Sequence, residues 1–142
     1  GNSRVVALDG QHKFFRFRIP TSSYGDSHLF ALAAELLGPG DVVIAISTTG
    51  QLPELLDAVD VARAAGADVI AITSSKSALA RKASVCLAVD HSEDSTTFLS
   101  MISRILQLLL IDIMAVGISL GPAGEAVAES ERRRLLISHL DI

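Results

Sequence analysis

Tryptophan is absent from this chain, tyrosine occurs once, and aromatic residues make up only 4% of the whole, so Ala, Val, Ile and Leu must fill the core. That filling suits α/β layers with buried parallel strands. Cysteine also occurs once, as Cys86, which excludes an internal disulfide and fits a reducing, cytoplasmic compartment. Its setting, Ser84-Val-Cys-Leu-Ala-Val89, reads as a strand whose apolar neighbours raise the thiol pKa, so an inert core residue is expected. Basic residues number 12 against 16 acidic ones, and a net charge of −4 argues against a basic surface that grips nucleic acid. The N-terminus lacks a basic segment followed by an apolar core, so no signal peptide is read there. His12, His28 and His139 show no ligand spacing with Cys, Asp or Glu partners, so no metal is assigned, and no cofactor is expected. Neither a Gly-Lys-Ser/Thr nucleotide loop nor a Gly-x-Gly-x-x-Gly fingerprint occurs.

What remains is a 142-residue chain in which 49% of residues are apolar, enough for one domain with a sizeable core. Residues 4–17 carry apolar positions at Val5, Val6, Leu8, Phe14, Phe15 and Phe17 and predict a helix. A short extended piece follows at 19–23. Asp26 or Ser27 caps a helix running to Leu37, which Gly38-Pro39-Gly40 stops. Strands are expected at 42–46, 68–73 and 85–89, with helices at about 53–65 and 77–83 between them, and Gly66 as a C-cap candidate. A long helix then runs to about Leu120, and a charged helix over 124–140 closes the chain. Strand–helix alternation with short turns implies a three-layer αβα sandwich around a parallel sheet. The right-handed crossovers gather every strand-to-helix turn at one edge. If Gly1-Asn2-Ser3 is also such a turn, the first strand is missing ahead of it.

The segment Met101–Leu120 is long and apolar enough to be weighed against a membrane span. It carries Arg104, Gln107 and Asp112, each costly in lipid. A buried helix is expected instead, with an apolar surplus that meets a second subunit. Arg132-Arg133-Arg134 project in different directions on a helix and follow Glu129 and Glu131, so a solvated or subunit-contact helix is read rather than a nucleic-acid patch.

The candidate chemistry sits in Asp41-Val-Val-Ile-Ala-Ile-Ser-Thr-Thr-Gly-Gln-Leu-Pro53. The apolar run ends in three hydroxyls and a glycine, and Pro53 opens a helix. Hydroxyls and backbone N–H groups at a helix N-terminus favour an anion. Ser47, Thr48, Thr49 and Gly50 are therefore candidate phosphate ligands for a small phosphorylated metabolite. The alternative is a plain capped turn whose hydroxyls satisfy the helix's own orphan N–H groups. Ser77 has the same two readings, ligand contact or helix cap. Glu93 and His91 lie in the 90–95 loop at the same edge and are candidates for touching a ligand, with solvation as the ordinary alternative. Lys76 is a further candidate for balancing phosphate charge, and Lys13 reads as a surface residue.

Ser-Thr-Thr-Gly at 47–50, after a strand and before a helix, resembles the phosphate motif of sugar isomerase (SIS) domains. Gly1-Asn2-Ser3 resembles the first βα turn of the same flavodoxin-like fold, over essentially the whole chain, 1–142. The stretch from Asp9 through Lys13-Phe14-Phe15-Arg16-Phe17, and Ile102-Ser-Arg104-Ile-Leu-Gln107 to Asp112, are most similar to the effector domain of RpiR-type bacterial transcription regulators. Within these the likeness is to the HexR type, which senses 2-keto-3-deoxy-6-phosphogluconate. The resemblance implies a phosphosugar-sensing domain with Asn2, Ser3, Ser47, Thr48, Thr49, Gly50, Gln51, Ser77 and Glu93 around the ligand and no catalytic residue. It implies a homodimer or tetramer, DNA contact only through a helix-turn-helix domain not present here, and no membrane. A phosphosugar isomerase, with Glu93 or His91 as base, is the alternative reading. Two positions depart from the pattern: Leu52 stands where relatives often have a hydroxyl, and the neutral Gln51 where Arg or Glu is common.

Overall fold

The structure, a computed structural model, describes residues 3–90 and 99–126. Its elements run α1 (Ser3–Phe15), α2 (Ser27–Glu35), β1 (Val42–Ile46), α3 (Pro53–Ala64), β2 (Asp68–Thr73), α4 (Ala78–Lys82), β3 (Val85–Ala88) and α5 (Leu99–Ser119). The three strands are parallel in the order β1-β2-β3. Val42 to Ile46 pair in register with Asp68 to Ile72, and Ile70 to Thr73 with Val85 to Ala88. β1 is paired on one side only among the described residues. The expected helix over 124–140 falls largely outside them.

Side chains alternate across a strand, so each strand addresses two layers. Val43, Ala45, Val69 and Ala71 point to one face and meet Ala34 of α2, Ala58, Val59 and Ala62 of α3, and Leu79 of α4. Ile44, Ile46, Ile72 and Leu87 point to the other, against Val6 and Phe14 of α1 and Ile111 of α5. The first layer is built of small side chains and the second of branched and aromatic ones. Complete burial of a residue such as Ile72 or Ile111 contributes about 1.5–3 kcal/mol relative to exposure. This is the expected three-layer arrangement, with α2, α3 and α4 on one side and α1 and α5 on the other.

The boundaries have local causes. Asp26 caps α2 as expected, its carboxylate accepting from the amides of His28 (2.9 Å) and Leu29 (3.1 Å). α2 stops at Glu35, short of Leu37, with Leu36 as the C-cap. Gly66, at φ +96, ends α3 as expected. α1 ends in a turn where Arg18 adopts the left-handed region at φ 59, a conformation that L residues enter only at a cost. Gly10 of α1 lies against Ile111, and Lys13 pairs with both Asp9 and Asp112. The hydrogen bond to Asp112, then that to Asp9, holds the Lys13 ammonium above its ordinary pKa. These contacts lay α1 against α5.

α5 is buried along one face only, and the expected apolar surplus lies on the other. Ser103, Gln107 and Ile111 are fully buried on its inner face. Ile102, Ile105, Leu109, Ile113, Val116 and Leu120, spaced by three and four residues, form a continuous exposed stripe on the opposite face. The stretch Met101–Ser119 has a mean hydropathy of 1.9 and is long enough to span a bilayer by length and composition. Its two buried polar side chains face the protein, and its bare face is the apolar one.

Candidate functional site

At the carboxyl end of β1 the chain turns through Ser47-Thr48-Thr49-Gly50 before α3 begins. The ladder reaches into the turn, with the Ser47 amide donating to the Ile72 carbonyl (3.1 Å). Gly50 is buried at φ +62, and a Cβ there would fall against the Thr73 and Ser77 hydroxyls. Only glycine combines that backbone with that closeness. The Gly50 carbonyl accepts from the Leu79 amide (3.0 Å), so the first turn is fastened to the start of α4.

Three hydroxyls of this turn share one property. Ser47 Oγ accepts from the Gly50 amide (3.0 Å) and Thr49 Oγ1 from the Gln51 amide (3.4 Å). Thr48 Oγ1 accepts from Gln107 Nε2 of α5 (3.4 Å). A hydroxyl that accepts internally keeps its proton to donate. Ser47 and Thr48 are half-buried and Thr49 is exposed, so those protons are within reach of a ligand. Leu52 is the N-cap of α3 and supplies no side-chain cap, while Pro53 occupies the first turn. The positive end of the 12-residue α3 therefore stands beside the hydroxyls with no capping oxygen from Leu52. Gln51 is exposed at the same place.

The second turn, after β2, is already occupied by the chain's own carboxylate. Asp90 Oδ1 accepts from the Ser75 amide (2.9 Å) and from Ser74 Oγ (3.3 Å). The Ser75 backbone bond, above all, holds the Asp90 carboxyl below its usual range. Ser77 is fully buried and caps α4, its Oγ accepting from the Ala80 amide (3.1 Å) and lying 3.4 Å from Thr73 Oγ1. It sits beneath Gly50 and supports the first turn from below. Lys76 is exposed on the same rim, its charge contributing to the lowered Asp90 pKa. Cys86 is half-buried in β3, and burial pushes its thiol up, the direction of an unreactive sulfur.

Of the residues expected around a ligand, Ser47, Thr48, Thr49, Gly50 and Gln51 are brought together in one turn, and Ser77 beneath it. Ser3 is half-buried at the N-terminus of α1. Asn2, His91 and Glu93 lie outside the described residues. Gln107 escaped the sequence reading as part of this site. Its signals are a polar side chain in an apolar helix and a place in the regulator-like stretch 102–112, neither of which points to the hydroxyl turn.

Residues 1–117 match the SIS domain family. Over 139 residues, 94% of this chain and 22% of its counterpart, the sequence is 54% identical to the "Bifunctional protein glk" of Burkholderia orbicola (strain AU 1054). Over 120 residues, 84% of this chain and 42% of its counterpart, it is 40% identical to the HTH-type transcriptional regulator HexR of Pseudomonas aeruginosa. The chain thus spans less than half the length of either relative. Among solved structures, Vibrio vulnificus NanR complexed with ManNAc-6P superposes with a TM-score of 0.80 at 23% identity, covering 96% of this chain and 53% of that one, a likeness of fold.

Two measurements probe the site. Gly50→Ala should lower unfolding stability by about 2–5 kcal/mol in urea titration, from a forced left-handed alanine plus crowding of two buried hydroxyls; a loss under about 1 kcal/mol would show that the two turns are not locked together. A carboxyl lowered by folding stabilises the fold above its unfolded pKa of about 4, and that contribution is lost as pH falls through the lower folded value. Asp90→Asn should therefore flatten the dependence of stability on pH below about pH 5 in acid titration followed by circular dichroism; an unchanged curve would remove the Asp90 clasp.

By its sequence and its fold, the chain belongs to the SIS domain family, with a domain of the type shared by HexR-type regulators.

Proposed function

We propose that this domain is the phosphosugar-sensing effector module of a bacterial transcription regulator of sugar catabolism, and that it binds 2-keto-3-deoxy-6-phosphogluconate or a similar sugar phosphate. The observation that carries this reading is the turn of three hydroxyls whose acceptor sides are held by the protein's own N–H groups. Their protons, with the N-terminus of α3, suit a dianionic phosphate. Ser3 closes the site from the start of α1 and Gln51 hydrogen-bonds a sugar hydroxyl; Asn2 and Glu93, the other expected ligands, lie outside the described residues. No residue acts as a catalyst. An isomerase would need a base poised near neutrality, for which the sequence offers Glu93 and His91, both outside the described residues. DNA contact belongs to a helix-turn-helix unit elsewhere in the full-length protein, which works in the cytoplasm.

The module also pairs with a second copy, as a dimer or tetramer. The exposed α5 stripe runs beside Val5, Leu8 and Phe15 of α1, with the Lys13–Asp9–Asp112 cluster between the two helices. Together these side chains form a contiguous apolar face of the kind that marks a protein interaction site. Sensing then means that the ligand binds two arrangements of the assembly with different affinity.

Isothermal titration with 2-keto-3-deoxy-6-phosphogluconate should show saturable binding, without aldose–ketose turnover in a coupled assay. Ser47→Ala should weaken binding by about 1.5–3 kcal/mol, the worth of a hydrogen bond to a charged group. Heatless titrations with every phosphosugar tried would sink the sensor reading. Light scattering should give at least a dimer, and Leu109→Glu should shift it toward monomer; a monomeric wild-type protein would refute the pairing.

A further inference from the structure

Gln107 is 1% exposed, at the middle of a helix that is otherwise apolar on nearly every side. A leucine would fill the same place, and burying an amide is unfavourable unless it is hydrogen-bonded. Gln107 does not support the helix that carries it: its amide Nε2 reaches across to β1's turn and donates to Thr48 Oγ1 at 3.4 Å, linking positions 59 residues apart. Ser103, one turn nearer the rim on the same face, is also 1% exposed. α5 thus presents a polar strip to the underside of the hydroxyl turn and an apolar stripe to the outside.

We infer that Gln107 is a positioning residue for anion recognition: by donating to Thr48 it fixes that hydroxyl as a donor toward the ligand. A threonine hydroxyl has one proton and two acceptor lone pairs. Where the neighbour is a donor, the proton is released outward; where the neighbour is an acceptor, the proton is drawn inward and a lone pair faces the phosphate. The identity of the side chain at position 107 therefore sets the polarity of Thr48, and with it the preference for an anion over a neutral sugar. The same bond ties the ligand turn to the helix whose outer face is bare, so the effect of occupancy has a direct route to α5. This inference rests on the sensor reading above and deepens it.

The test is a double-mutant cycle on the full chain, with 2-keto-3-deoxy-6-phosphogluconate as the probe and calorimetry as the readout. Thr48→Val and Gln107→Met should each weaken binding by about tenfold, and the double variant should be no weaker than the worse single one, because both changes remove one shared arrangement. Unchanged binding by Gln107→Met, or losses that multiply in the double variant, would overturn the inference while leaving the sensor reading intact. Failure of the unmodified chain to bind any phosphosugar overturns both. Gln107→Glu keeps the side-chain volume and covers the case in which Gln107→Met does not fold. Ionised, it accepts from Thr48 and should bind the probe at least tenfold more weakly than wild type at pH 8. Protonated, it can donate, so the ratio to wild type should recover toward pH 5. A ratio independent of pH would mean that Gln107 has only a structural role.

Discussion

The seam between two hydroxyl-bearing turns is the constraint on which the site depends. Gly50 presses its backbone against Thr73 and Ser77 at a left-handed φ, and its carbonyl takes the Leu79 amide. That contact decides where Ser47, Thr48 and Thr49 stand, because the residues on either side of Gly50 have little freedom once it is docked. Ser77 serves the seam from below by capping α4 and lying beside Thr73. Thr73 and Ser77 hold the seam alone, whereas Ser47 and Thr49 both brace the turn and keep a proton for a ligand. The two readings of a hydroxyl-rich turn, ligand cradle and capped turn, are not exclusive: an oxygen that accepts from a turn amide still has a proton to give.

The sheet beneath this seam is asymmetric in a way that suits its two coverings. Alanine at 45 and 71 lets α3 and α4 approach closely, and Gly50 meets the beginning of α4 at that end. The isoleucines on the other side provide a bulkier floor for α1 and α5. α5 therefore has two tasks for its apolar residues, and a third for its buried polar ones. Asp90 takes the place of an external anion at the second turn, which leaves the first turn as the open one. Beside a self-satisfied turn, the acceptor-satisfied hydroxyls of the first turn are left free to donate to an anion.

Much of this was legible in the sequence. The continuous apolar run Val42–Ile46, broken by hydroxyls and Gly50, marks a buried strand that ends at a polar turn. Asp26, Pro53 and Gly66 announce helix ends through chemistry that acts within a few residues. The helix at 99–119 was also legible, but its burial was not: hydrophobic content alone cannot tell a stripe against the sheet from a stripe against solvent. Nothing local announces that Asp90, 15 residues beyond Ser75, closes the turn after β2. No local rule pairs a serine amide with a carboxylate one strand away.

The sequence by itself determined the order of elements, the burial of each strand and the location of the hydroxyl turn, because these follow from short apolar runs and from local backbone chemistry. Only the tertiary structure decided which polar groups meet across that turn. Gln107 reaches Thr48 over a separation of 59 residues, and Asp90 reaches Ser75 from the next strand's end. Such contacts depend on how helices and strands stack in three dimensions, because a hydrogen bond weakens steeply once distance and angle depart from their optimum.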